Sequence, residues 1–176
     1  VYIGYVTGLA QAEKLCEVAD EARARGVPVV VDPILGDNGR RYNSVTTEQA
    51  EAMKRLIGHA DVITPNMTEA CLLTDTPYAH ADIQTLLDKL GKNGGSVLIT
   101  SAGDTVAGLD MRTKEHFRIP FERVPGVHWG TGDRFCALLL DGLAHKMPLA
   151  QAVKRASDGV YEALRKENPS NPIDEV

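Results

Sequence analysis

Three short apolar runs in this chain, Val27-Pro-Val-Val-Val31, Val62-Ile63 and Ser96-Val-Leu-Ile99, each give way at once to a polar turn containing proline or glycine. A continuous β-branched run is the signature of a strand covered on both faces. Before the first run, Leu9, Ala12, Leu15, Cys16, Ala19 and Ala22 recur at helical spacing, and Gly26 supplies the stop. Strands alternating with helices predict an α/β fold: a doubly wound, mostly parallel sheet flanked by helices. In such a sheet the carboxyl ends of the strands share one edge, and ligands bind along it. The turns Asp32-Pro33-Ile34-Leu35-Gly36-Asp37, Thr64-Pro65-Asn66-Met67-Thr68-Glu69 and Thr100-Ser101-Ala102-Gly103 therefore all belong to that edge.

The remaining elements fit the same plan. Residues 1–6 read as a buried opening strand, and Thr46 or Thr47 caps a helix that runs to about residue 57. A short helix is expected over 66–74 and another from Asp82 to Gly91. Residues 105–110 and 115–120 predict an antiparallel hairpin at the sheet edge, 121–129 a loop, and 131–144 and 149–166 the last two helices. Pro148 suits the first turn of the second of these. Residues 33–46 show no periodicity and read as a mobile flap carrying Asp37 and Tyr42, and the Asn/Pro-rich tail after Lys166 reads as loosely ordered.

One further stretch carries chemistry. Gly130-Thr131-Gly132-Asp133 stands directly before the apolar run Phe135-Cys-Ala-Leu-Leu-Leu140. A helix starting there aims unpaired N–H groups and the positive end of its dipole at whatever lies in front, which favours an anion. An aspartate in that turn opposes a bound phosphate unless it takes the proton of an alcohol attacking that phosphate. The same residues also satisfy an ordinary glycine turn with an acidic first turn. Asn66 and Glu69, three apart, satisfy a capping box equally well.

Composition excludes several classes. The net charge of −5 comes with no basic cluster, and aromatics make up 5%, which argues against nucleic acid or anionic membrane as a partner. Cys16, Cys71 and Cys136 are odd in number and far apart, as expected of reduced thiols in a cytoplasmic protein, and the five histidines lack metal-ligand spacing. There is no Gly-x-x-x-x-Gly-Lys-[Ser/Thr] loop, so a P-loop kinase is excluded.

In order and spacing, the Asp-Pro-Ile-Leu-Gly-Asp, Thr-Pro-Asn-x-x-Glu, Thr-Ser-x-Gly and Gly-Thr-Gly-Asp-x-Phe segments resemble the ribokinase-like superfamily, and within it the pyridoxal kinases. The resemblance implies ATP-dependent phosphorylation of the hydroxymethyl group of a vitamin B6 vitamer, with a hydroxymethylpyrimidine kinase or a non-catalytic nucleotide-binding fragment as the alternatives. It implies an anion hole at Gly130, Thr131 and Gly132, and Asp133 as the catalytic base contacting the substrate. ATP contacts are implied for Asp32, Thr64, Asn66, Glu69, Thr100, Ser101, Val124 and Val127, with Asp32 and Glu69 holding Mg2+ through water. A monovalent cation and a cytoplasmic homodimer belong to the same expectation. Finally, it implies that residues 1–176 form the carboxyl-terminal part of one kinase domain, inactive alone, because much of the acceptor pocket comes from earlier strands.

Overall fold

The computed structural model describes residues 1–126 and 130–167. The chain runs β1 (Tyr2–Ile3), α1 (Leu9–Ala24), β2 (Val30–Val31), β3 (Gly36–Asp37), β4 (Arg40–Arg41), α2 (Thr47–Leu56), β5 (Val62–Ile63), α3 (Met67–Leu73), α4 (Ile83–Gly91), β6 (Ser96–Ile99), β7 (Thr105–Asp110), β8 (Glu115–Pro120), α5 (Thr131–Ala144) and α6 (Leu149–Glu167). Six strands form one sheet in the order β1-β2-β5-β6-β7-β8, parallel as far as β6 and antiparallel from there to β8. This is the doubly wound α/β sheet with an antiparallel edge hairpin that the pattern predicts.

Strand residues alternate between two cores, as a period of two requires. Val29, Val31, Ile63, Val97 and Ile99 face one cluster, shared with α1, α2, α3 and α4. Val30, Val62, Leu98 and Val106 face the other, shared with Phe135, Cys136 and Leu139 of α5 and Ala152, Val153 and Ala156 of α6. Both faces are therefore dry. Local caps agree with the sequence: Thr46 and Gln49 close a reciprocal capping box on α2, and Asp82 accepts from the Thr85 N–H at 2.8 Å.

Two expectations are corrected. The opening strand is two residues long rather than six, and Tyr2 and Tyr5 are 38% and 50% exposed. β1 is an edge strand with β2 as its one partner among the described residues, so only part of it is covered. The supposed flap contains a hairpin: β3 pairs antiparallel with β4, and Asn38 and Gly39 both take positive φ (51° and 75°). An Asn-Gly pair in that conformation is the preferred two-residue hairpin turn, a signal that the lack of apolar periodicity hides. The hairpin is fastened to α3, since the Gly39 N–H donates to Thr68 Oγ1 at 2.8 Å.

Gly36 is where this hairpin admits no side chain: a Cβ would lie 2.3 Å from the Arg40 carbonyl oxygen. Gly36→Ala must push the two backbones apart. The expected loss is about 1–3 kcal/mol, a fall in melting temperature of about 2–4 °C for each kcal/mol at this chain length. An unchanged melting temperature would show that the pairing contributes nothing to stability.

Candidate active site

Parallel pairing brings the ends of β2, β5 and β6 to one edge, and hydrogen bonds tie the turns after them together. Thr64 Oγ1 donates to Asp32 Oδ1 at 3.1 Å, and Asn66 Nδ2 donates to the Gly36 carbonyl at 2.9 Å. The Thr100 N–H donates to the Pro65 carbonyl at 3.0 Å, and the Met67 N–H to Ser101 Oγ at 3.3 Å. The start of α5 reaches the same place, because a Cβ on Gly132 would lie 3.7 Å from Asp32 Oδ2. Gly130, at φ 73° and ψ 11°, is the N-cap, a left-handed position that favours glycine. Among the described residues no side chain caps this helix. The first N–H groups of such a helix end have no partner within the helix and suit an anion.

A cleft of about 510 Å³ opens here. Asp32, Thr64, Thr100, Ser101, Thr131 and Gly132 line its polar end, with Asp37 from the hairpin. Val106, Phe121, Val124, Phe135 and residues of α6 are among the rest of the lining, together with the charged Glu122 and Arg123. Val124 is thus at the cleft, and Val127 lies outside the described residues. Tyr42 is 43% exposed and does not contribute to the lining.

Asp133 is exposed and is not part of the cleft wall. Its carboxylate does not cap α5 but faces Tyr2, whose Oη lies 2.9 Å from Asp133 Oδ1 and 3.0 Å from Asp32 Oδ2. One phenol carries one proton, so a single O–H serves two carboxylates and holds them toward one point. Burial pushes the Tyr2 hydroxyl far above its ordinary range, and the Asp32 charge adds to this, so it stays a donor. Burial likewise raises the Asp32 carboxyl, against hydrogen bonds from Tyr2 and Thr64 that lower it, while the Asp133 charge raises it further. Tyr2 is the site residue that the sequence pattern conceals, since it stands in a strand whose alternation marks it only as packing.

Asn66 and Glu69 do not line the cleft. They form the reciprocal capping box of α3, and the Glu69 carboxylate accepts from the Asn66 N–H at 2.8 Å and from the Leu35 N–H at 3.1 Å. Glu69 is 5% exposed, and burial pushes its carboxyl up to about 8 against those backbone bonds. It fastens the 32–37 turn to α3. Cys136 lies on the cleft floor, 3.4 Å from Thr64 Oγ1, and burial together with the Asp32 charge pushes its thiol up to about 12. It is a neutral wall group at ordinary pH.

The oxygen donors around Asp32 suit a hard cation. No group of three or more His, Cys, Asp or Glu among the described residues is arranged to hold a metal. Magnesium needs no such group, since it keeps several waters and binds through one or two carboxylates and a ligand's phosphates.

Comparison with known proteins agrees with this reading of the fold. The family model described as phosphomethylpyrimidine kinase matches residues 4–173. The pyridoxine/pyridoxal/pyridoxamine kinase of Bordetella bronchiseptica is 30% identical, over 94% of this chain and 62% of its own length. The crystal structure of pyridoxal kinase from Lactobacillus plantarum superposes with a TM-score of 0.83 at 32% identity, covering 98% of this chain and 64% of that one. Pyridoxal kinase from Leishmania donovani, in complex with ADP and pyridoxamine, gives 0.68 at 27% identity, covering 98% and 62%. The chain spans 55–62% of the length of four of the curated relatives it matches. From the apolar strands, through the turns they carry, to the uncapped helix start, the chain belongs to the phosphomethylpyrimidine kinase family, with the ribokinase-like fold.

Proposed function

We propose that the protein transfers the γ-phosphoryl group of ATP to the hydroxymethyl group of pyridoxal, pyridoxine or pyridoxamine. One observation carries this reading: Tyr2 holds Asp32 and Asp133 at a single point beside the helix start at Gly130. The N–H groups at Gly130, Thr131 and Gly132 would receive the phosphate oxygens, since donors already in place stabilise developing charge without reorganising. Asp133, outside the nucleotide cleft, would face the acceptor and take the proton of its hydroxyl. The freed oxygen then forms a bond to the γ-phosphorus as the bond to the β–γ bridging oxygen breaks and ADP leaves.

Asp32 would hold magnesium together with the phosphates, and Thr64, Thr100 and Ser101 would offer hydroxyls to the same oxygens. When bound, the ion neutralises phosphate charge. Glu69 and Asn66 act by fixing the turn that carries Asp32. Cytoplasmic location and a homodimer are part of the same proposal, the latter checked by light scattering.

The second reading, phosphorylation of a hydroxymethylpyrimidine, is favoured by the description of the matching family model. An assay of the complete protein with ATP, magnesium and a panel of the three vitamers and hydroxymethylpyrimidine tests both. Vitamer phosphate as the dominant product supports the proposal. A preference for the pyrimidine replaces it with the second reading, and nucleotide binding without turnover on any acceptor makes the chain a binding module.

A further inference from the structure

Asp133 is the third residue of α5, a position from which an acidic side chain ordinarily turns back on its own helix end. There it meets the positive end of the dipole and N–H groups that have no partner in the helix. In this protein Asp133 Oδ1 instead accepts the Tyr2 O–H at 2.9 Å, across 131 residues of sequence. Asp133 is exposed, so this bond rather than packing sets its direction.

Tyr2 is anchored well enough to hold it. Its strand pairs with β2, placing Tyr2 opposite Val30, and the same hydroxyl lies 3.0 Å from Asp32 Oδ2. Gly4, two residues on, leaves the space in which the phenol lies, since a Cβ there would already touch Tyr2 Oη and Ile34 Cδ1 at 3.4 Å. Without the O–H, two forces act on Asp133 in the same sense. The Asp32 charge repels it, and the start of α5 attracts it. A carboxylate folded back on that helix start occupies the donors that a phosphate needs.

We propose that Tyr2 is a positioning residue whose hydroxyl keeps the Asp133 carboxylate off the start of α5, so that the N–H groups of Gly130, Thr131 and Gly132 remain open to phosphate. The inference rests on the nucleotide reading above and adds the residue that stops the protein's own base from competing with the ligand.

The test is a calorimetric titration of the complete protein in magnesium, with a non-hydrolysable ATP analogue and with inorganic tripolyphosphate as a probe that has phosphates alone. Wild type is compared with Tyr2→Phe, Asp133→Ala and the double variant. Phenylalanine keeps the ring and loses only the O–H. Tyr2→Phe should bind both probes about 2- to 30-fold more weakly, the range set by the strength of one side-chain cap at a helix start. Adding Asp133→Ala should restore the affinity to that of Asp133→Ala alone, because no carboxylate is then left to fold back. A purely structural role of Tyr2 does not predict this rescue. Equal affinity in Tyr2→Phe and wild type overturns the inference and leaves the nucleotide reading standing. A weakening that persists in the double variant, or one confined to the nucleotide analogue, overturns it too, because the effect then runs through other groups than Asp133 and the phosphates. Failure of wild type to bind either probe overturns the nucleotide reading and this inference with it.

Discussion

In the complete protein, Asp133→Asn is expected to lower kcat by about 10²–10⁴-fold, the usual effect of losing a positioned general base, while nucleotide affinity stays the same or tightens. The donors for phosphate at the start of α5 are backbone groups that the substitution retains. Removing a negative charge near the phosphates cannot weaken their electrostatic binding. An amide oxygen can still accept the Tyr2 O–H, so the geometry around Asp32 is kept. What the amide cannot do is accept the alcohol's proton. A helix-capping role predicts the opposite outcome, because asparagine is among the best caps and turnover would survive. The Asp133 side chain bonds Tyr2, 131 residues away in sequence, and not its own helix end, which favours the first outcome. Measuring kcat, nucleotide affinity and melting temperature on this variant separates the two.

The second large effect is on stability. Glu69→Ala removes the acceptor of two backbone N–H groups, those of Leu35 and Asn66. Each buried donor left unpaired costs about 1–3 kcal/mol, so a loss of about 2–6 kcal/mol is expected. Against a total stability of about 5–15 kcal/mol, this leaves a much weakened fold. Glu69→Gln retains one oxygen and should lose about half as much. It should also change the pH response. Burial raises the folded carboxyl from 4.5 to about 8, so between those values the folded state holds a proton that the unfolded state has lost. This contribution to stability is fully present below pH 4.5 and is lost as pH rises through about 8. The difference between wild type and Glu69→Gln in denaturant unfolding should follow that slope, and a difference independent of pH would contradict it. In the complete protein, the magnesium requirement of the same variant separates its two roles. An unchanged requirement leaves Glu69 as a tether of the 32–37 turn, and a raised one places its carboxylate in the ion's water shell.

How much of this can be read without coordinates differs from residue to residue. Asp32, Thr64, Thr100 and Ser101 are readable because a parallel sheet puts the ends of its strands on one edge, and proline or glycine marks each turn. The start of α5 is readable because glycine at the cap and a following apolar run leave little else for it to be. Asn66 and Glu69 satisfy the capping box and the site pattern with the same spacing, and only the bond from the Leu35 N–H to Glu69 shows what the carboxylate does. Tyr2 cannot be found from spacing, since its position depends on pairing with Val30, 28 residues on, and on the approach of α5. The hairpin at 36–41 carries its signal openly in Asn38-Gly39, and a reading based on apolar periodicity passes over it. Ser157 shows the opposite limit. The stripe of α6 is visible as a helical period, but a buried hydroxyl without a partner is a property of three dimensions.

The central claim is that the start of α5 and the turn at Asp32 form one nucleotide-phosphate site. The most direct measurement is a titration of the protein with a non-hydrolysable ATP analogue and magnesium, followed by the amide resonances of each residue. The account predicts that the largest shifts fall on Thr131, Gly132 and Asp133 together with Thr64, Thr100 and Ser101, with smaller ones along α6 from Ser157 to Leu164. Binding that leaves Thr131 and Gly132 unmoved while shifting residues elsewhere on the sheet would contradict it.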